Sequence, residues 1–328
     1  MTDWQNKFVS QDMVRASNCG YGHAHSKIIL MGEHAVVYDY PAIAIPFTSV
    51  QVRVKVQANQ IGRDFIQSSI YTGPLTTVPK QMENIQALVN LTRDSFQFDR
   101  KALLIKIDSD IPAGRGMGSS AAVSVALVRA ICDYFNYSIS DYQLHLLVNQ
   151  AEAIAHESTS GLDTLITASD KPVIYRKSQK PFNFPLDLNA YLVLADSGME
   201  GRTQQAVSRV LQLKLQQKEF VAELMESIGN FVEQAYTAIQ DKNPAELGRL
   251  MTYNHYYLNQ LGVSNERLDR IINASWMAGA LGAKLTGGGM GGCVITLAEN
   301  LNQAKVIAKA MKQAGAHKTW TLNLNKFA

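Results

Sequence analysis

Three short stretches of the sequence carry residues able to do chemistry together. The first, Pro112 to Ala122, reads PAGRGMGSSAA. Glycines at 114, 116 and 118 permit positive φ angles and close backbone approach. Ser119 and Ser120 then open an apolar segment, one of them suited to cap a helix. A helix N-terminus presents unpaired N–H groups and a partial positive charge, which suits an anion. Read from the residues alone, this stretch is either a capped glycine turn or an anion cradle. It is not a Walker A loop, because no lysine precedes the hydroxyl residues. The second stretch, residues 24–44, places Lys27 ahead of an apolar run and the pair Glu33-His34 at a glycine turn. Charged groups pinned between apolar segments are expected to converge at one end of strands. The third stretch holds Glu152 at the end of a helical pattern and Asp163 just after the turn Ser160-Gly161. Two carboxylates near an anion loop suit one metal ligand and one general base.

A second glycine cluster is a decoy. Gly287, Gly289 and Gly292 match GxGxxG in letters, but a strand-like run, CVITL, follows where a dinucleotide site needs a helix. Tight backbone packing against another loop is the expected role. The seven histidines include no set with metal-ligand spacing.

The elements that must hold these groups follow from periodicity. Val50, Val52, Val54 and Val56 alternate with polar residues, which predicts a half-buried strand. LLIKI at 103–107 and YLVLAD at 191–196 read as further strands. Residues 119–135 are apolar almost all round, which predicts a buried helix. Helices are also expected over 81–93, 141–155, 244–261, 266–281 and 302–314, with one continuous helical stretch from 201 to about 241. A closing strand is expected over 319–324. Residues 1–20 read as an irregular start. The proline-bearing segment 171–189 is the expected domain boundary, dividing the chain into 1–185 and 186–328.

Composition narrows the class. A chain of 328 residues with 46% hydrophobic and 18% charged residues can build a substantial core. A net charge of +3 is not the footprint of a nucleic-acid binder, and no membrane span or secretory leader is expected. Three scattered cysteines suggest neither a zinc site nor a disulfide framework, so a cytoplasmic protein with reduced thiols is expected.

Taken together and in order, the segments resemble the three signature motifs of the GHMP kinase family. PAGRGMGSSAA resembles its central motif, KIILMGEHAVVYDYPAIA its first and KLTGGGMGGCVITL its third. GEHAVV is similar to the branch that phosphorylates mevalonate, and AHSK with RGMGSSAA to the bacterial members of that branch. The resemblance implies an α+β, two-domain GHMP kinase fold. Its N-terminal domain would be ribosomal protein S5 domain 2-like, its C-terminal domain ferredoxin-like. ATP and Mg²⁺ are the implied cofactors and mevalonate the implied substrate, in a monomer or homodimer. Asp163 would be the catalytic base and Lys27 its catalytic partner. Pro112, Ala113, Gly114, Arg115, Gly116, Met117, Gly118, Ser119 and Ser120 would form the nucleotide loop. Ser120 and Glu152 would hold the metal. Glu33, His34 and Thr203 would lie on the substrate side, and Gly287, Gly288 and Gly289 would form the structural glycine motif. Two departures stand out: His25-Ser26 where the family often has Pro-Gly, and Val123 where the animal members of the mevalonate branch often have tyrosine.

Overall fold

The computed structural model describes residues 19–155 and 161–327. Most of the expected reading of 1–20 therefore lies outside the described residues, but Cys19 and Gly20 already belong to a strand. In chain order the first half comprises β1 (Cys19–Met31), β2 (Ala42–Ala58), β3 (Phe65–Gln67), β4 (Thr72–Pro74), α1 (Glu83–Phe96), β5 (Leu103–Ser109), α2 (Ser119–Tyr134), α3 (Asp141–Ala155), α4 (Leu162–Ala168), β6 (Val173–Tyr175) and β7 (Phe182–Asn183). The strands form one seven-stranded sheet, ordered β4-β3-β5-β2-β6-β7, with β1 also paired to β2. The valines at 50, 52, 54 and 56 all point into the core, as their alternation requires.

The second half comprises β8 (Tyr191–Asp196), α5 (Thr203–Gln216), α6 (Lys218–Gln240), α7 (Pro244–Gln260), α8 (Glu266–Met277), β9 (Gly282–Thr286), β10 (Cys293–Ala298), α9 (Leu301–Gln313) and β11 (Lys318–Asn323). Its four strands lie in the order β11-β8-β10-β9 and pair antiparallel throughout. That is the 4-1-3-2 order of a ferredoxin-like βαββαβ unit. The expected single helix over 201–241 is two helices, because Gln217 leaves helical geometry at φ −139°, ψ 66°. The proline-bearing segment 171–189 also carries structure: β6 and β7 extend the first sheet through it.

The core runs through the second sheet. Leu192 and Leu194 on β8 join the same apolar cluster as Phe47, Ile28 and Leu103 of the first half. Their neighbours Val193 and Ala195 face the other way, into the helices of the second half. A strand buried on both faces has no polar side to show, which explains the unbroken apolar run YLVLA.

Candidate functional site

Lys27 lies where β1 changes register. His25 pairs with Gln51, while the next residue, Ser26, pairs with Phe47, so β2 carries a bulge over residues 48–50. Bulges re-aim side chains, and this one precedes Lys27 directly. The Lys27 amide donates to the Met117 carbonyl at 3.1 Å, tying the strand to the glycine loop. The Ser26 hydroxyl donates to the same carbonyl at 2.9 Å. The departure from Pro-Gly thus supplies a hydroxyl clasp on the loop. The other displaced position, His25, contacts the carbonyls of Ser26 and Ser169 through its two ring nitrogens at 2.7 and 2.8 Å.

Lys27 Nζ lies 2.8 Å from Asp163 Oδ1, with the lysine side chain 4% exposed and the aspartate 49% exposed. A buried cation therefore faces a carboxylate that is half exposed to solvent. Asp163 stands in the first turn of α4, which starts from Gly161 at φ +74°. Ser160, the other half of the expected turn, lies outside the described residues. Gly118 is required beside this pair: its φ is +72°, and a Cβ there would stand 2.8 Å from Lys27 Cγ. Gly118 is also the N-cap of α2. The expectation that a serine caps this helix is corrected: Ser119 and Ser120 are its first two residues, because the left-handed glycine already turns the chain into the helix.

The metal expectation can be tested on the donor set. Ser120 Oγ donates to Glu152 Oε1 at 2.9 Å, and Asn84 Nδ2 donates to Ser120 Oγ at 3.2 Å. These are hard oxygen donors at the N-terminus of α2, open to solvent at Ser120. Mg²⁺ is held by one or two such groups plus phosphate oxygens and water, so the set fits that ion. The loop before α2 fits polyphosphate: Ala113 and Gly114 are exposed, and the helix end adds unpaired N–H groups. Asn84 was not singled out from the sequence, since a lone asparagine in a helical pattern carries no local signal.

Glu33 and Lys284 form an ion pair with both side chains fully buried. Burial raises the Glu33 carboxyl above its ordinary value, and burial lowers the Lys284 ammonium; their mutual attraction opposes both shifts. Glu33 Oε2 has no hydrogen-bond partner. His34 Nε2 donates to the Gly288 carbonyl at 2.9 Å, and burial lowers the His34 pKa, so the ring is neutral at pH 7. Thr203 is exposed at the start of α5, and a Cβ on Gly288 would come within 2.5 Å of Thr203 Oγ1. The structure therefore brings His34, Thr203 and Gly288 together. Glu33 and His34 meet the second half of the chain at the end of β9, where Thr286 Oγ1 also bonds both the amide and the carbonyl of Ile29.

The loop after β9 joins two antiparallel strands, as the decoy reading required. Gly287 lies against Gly116, and Gly292 against Arg115, so the two glycine loops pack backbone to backbone.

A glycine loop at a helix N-terminus, a buried lysine, an open carboxylate and oxygen donors together fit a small-molecule kinase. The family models for the GHMP kinase N-terminal and C-terminal domains match residues 83–170 and 235–317. The mevalonate kinase of Thermococcus sibiricus is 32% identical over 313 residues, covering 89% of this chain and 92% of that protein. The mevalonate kinase from methicillin-resistant Staphylococcus aureus MRSA252 superposes with a TM-score of 0.72 at 31% identity, over 94% of this chain and 100% of that one. The L. major mevalonate kinase in complex with R-mevalonate superposes with a TM-score of 0.79 at 28% identity, over 93% and 96%. The chain belongs to the GHMP kinase family, in the branch of the mevalonate kinases, and uses ATP as that family does. Among the described residues no helix is long and apolar enough to cross a membrane.

Proposed function

We propose that the chain is an ATP:mevalonate 5-phosphotransferase, converting mevalonate to 5-phosphomevalonate with Mg²⁺, early in isoprenoid synthesis. The observation that carries the reading is the 2.8 Å contact between buried Lys27 and open Asp163 at the mouth of the glycine loop. In phosphoryl transfer the protein positions groups and stabilises charge, with little covalent work of its own. Asp163 accepts the proton of the 5-hydroxyl as that oxygen attacks. An alcohol is a weak acid, so a carboxylate positioned against its proton is needed, and the ammonium of Lys27 pairs with that carboxylate and orients it. The same ammonium offsets charge developing on the transferred group. Gly114 to Ser119 hold the phosphates through backbone N–H groups. Ser120 and Glu152 would hold Mg²⁺, which would neutralise phosphate charge. His34 and Thr203 lie on the mevalonate side of the cleft, and Glu33 stands behind them against Lys284. We also place the domain boundary at 185/186, between the last strand of the first sheet and the first of the second, and the enzyme in the cytoplasm.

A coupled ADP-release assay across mevalonate, phosphomevalonate, homoserine and galactose tests this. Turnover of mevalonate alone is expected. Turnover of phosphomevalonate instead would reassign the substrate, and no turnover of any would reduce the fold to a nucleotide-binding sensor.

A further inference from the structure

An arginine in a phosphate loop is expected to point at phosphate, yet Arg115 does not project from its loop in isolation. Its Nε lies 2.9 Å from Asp196 Oδ1, with the two side chains 17% and 3% exposed. Arg115 Nη2 also reaches the Gly198 carbonyl at 3.4 Å. Asp196 is the last residue of β8, paired on one side with Cys293 and on the other with Lys318. The Arg115 contact is an ion pair without hydrogen-bond geometry at Nε; Asp196 Oδ1 accepts its hydrogen bond from the Gly198 amide at 2.8 Å. The carboxylate is therefore fixed by the middle of the second sheet.

Besides its packing against the loop after β9, the loop has two hydrogen-bonded anchorages. At its far end Met117 is held by Lys27 and Ser26 of β1. At its near end the Gly114 carbonyl accepts from Gly201 at 2.7 Å. Between them runs a glycine-rich backbone with positive φ at 114, 116 and 118, which has little stiffness of its own. A backbone that must present N–H groups to phosphate at hydrogen-bond range needs its height fixed.

We propose that Arg115 and Asp196 form a strap that sets the nucleotide loop against the second sheet, making both of them positioning residues for ATP. The strap rests on the nucleotide reading of the loop given above. It spends the arginine's charge on the protein's own carboxylate and keeps it off the ligand. It also joins the loop to residues 197–202, which lead to Thr203 on the mevalonate side.

The test is a double-mutant cycle with Arg115→Ala and Asp196→Asn, the second nearly isosteric, in the full-length protein. ATP dissociation constants come from calorimetry with Mg²⁺ present, and kcat from initial rates at saturating ATP and mevalonate. Each single change is expected to raise the ATP Kd about tenfold, within the coupling range of contacting residues, with the double variant no weaker than the worse single. The loss is expected to fall mainly on the ATP Kd and to a lesser degree on kcat at saturating ATP and mevalonate, because the strap acts on binding. Arg115→Lys, which keeps the charge but loses the Nη2 bond to the Gly198 carbonyl, is expected to recover part of the affinity. Unchanged Kd in both singles, additive losses in the double, or a fall in kcat at unchanged Kd would each overturn the strap; the last would turn Arg115 onto the reacting phosphate. A wild-type protein that fails to bind ATP breaks the nucleotide reading instead, so the two failures are distinguishable.

Discussion

The buried pair Glu33–Lys284 allows a stability prediction from first principles. Lys284→Met removes the cation and leaves the carboxylate enclosed, with Oε2 already lacking a partner. Breaking a buried pair from one side costs about 3–5 kcal/mol, against a total folding stability of about 5–15 kcal/mol. The double replacement Glu33→Gln with Lys284→Met removes the charge altogether and is expected to recover most of that loss. Urea unfolding followed by tryptophan fluorescence gives the midpoints for wild type, both singles and the double. The single variant also has a pH signature. Burial already raises the Glu33 carboxyl above 4.5, and Lys284 is the largest influence holding it down, so the variant raises it further. A carboxyl with a raised folded pKa binds its proton more tightly when folded. Its penalty is therefore greatest above the raised value and shrinks as the pH falls towards the unfolded value. A loss below about 1 kcal/mol, the worth of an exposed pair, would refute the reasoning. So would a deficit that grows on acidification.

Asp163→Asn is expected to lower kcat by about 10²–10⁴-fold, the usual contribution of a general base, while ADP binding by calorimetry persists. Normal turnover would remove Asp163 from the base role. Glu152→Gln is expected to raise the Mg²⁺ concentration needed for half-maximal rate, and Asn84→Ala to do so more weakly, because Asn84 orients the Ser120 hydroxyl from behind. Superimposable Mg²⁺ titrations would count against both assignments. Burial lowers the His34 pKa, so the unfolded chain binds its proton first; stability from this group is complete above about 6.5 and lost as the pH falls below it. Replacing it, as in His34→Gln, is expected to flatten the stability profile between pH 7.5 and 5.5; an unchanged slope would show that His34 is not the group responsible.

Where one physical signal dominates a segment, the sequence shows the structure. The strand at 191–196 and the helix at 141–155 fall where their patterns place them. Lys27 and Asp163 were singled out as types able to do chemistry, and they meet. The misses have physical reasons as well. Serine is a favoured N-cap residue, but Gly118 takes the left-handed conformation first, and the serines become helical. The break at Gln217 leaves no mark in a helical pattern, since glutamine is a fair helix former. Asn84, Asp196 and Lys284 escaped notice because their partners lie far along the chain, 251 residues away for Lys284. A lysine inside an apolar strand was a visible oddity, but nothing local says which carboxylate answers it.

The two-faced burial of β8 bears on how the chain can be divided. Leu192, Leu194, Ile295 and Leu297 present one side of the second sheet to the core of the first half. A fragment beginning after residue 185 would carry that side bare to water, as a flat apolar sheet face rather than scattered exposed residues. Such a fragment is expected to self-associate or to be recovered insoluble, and co-expression with the other half is its route to solubility. The chain is built as two folding patterns but as one unit of solubility.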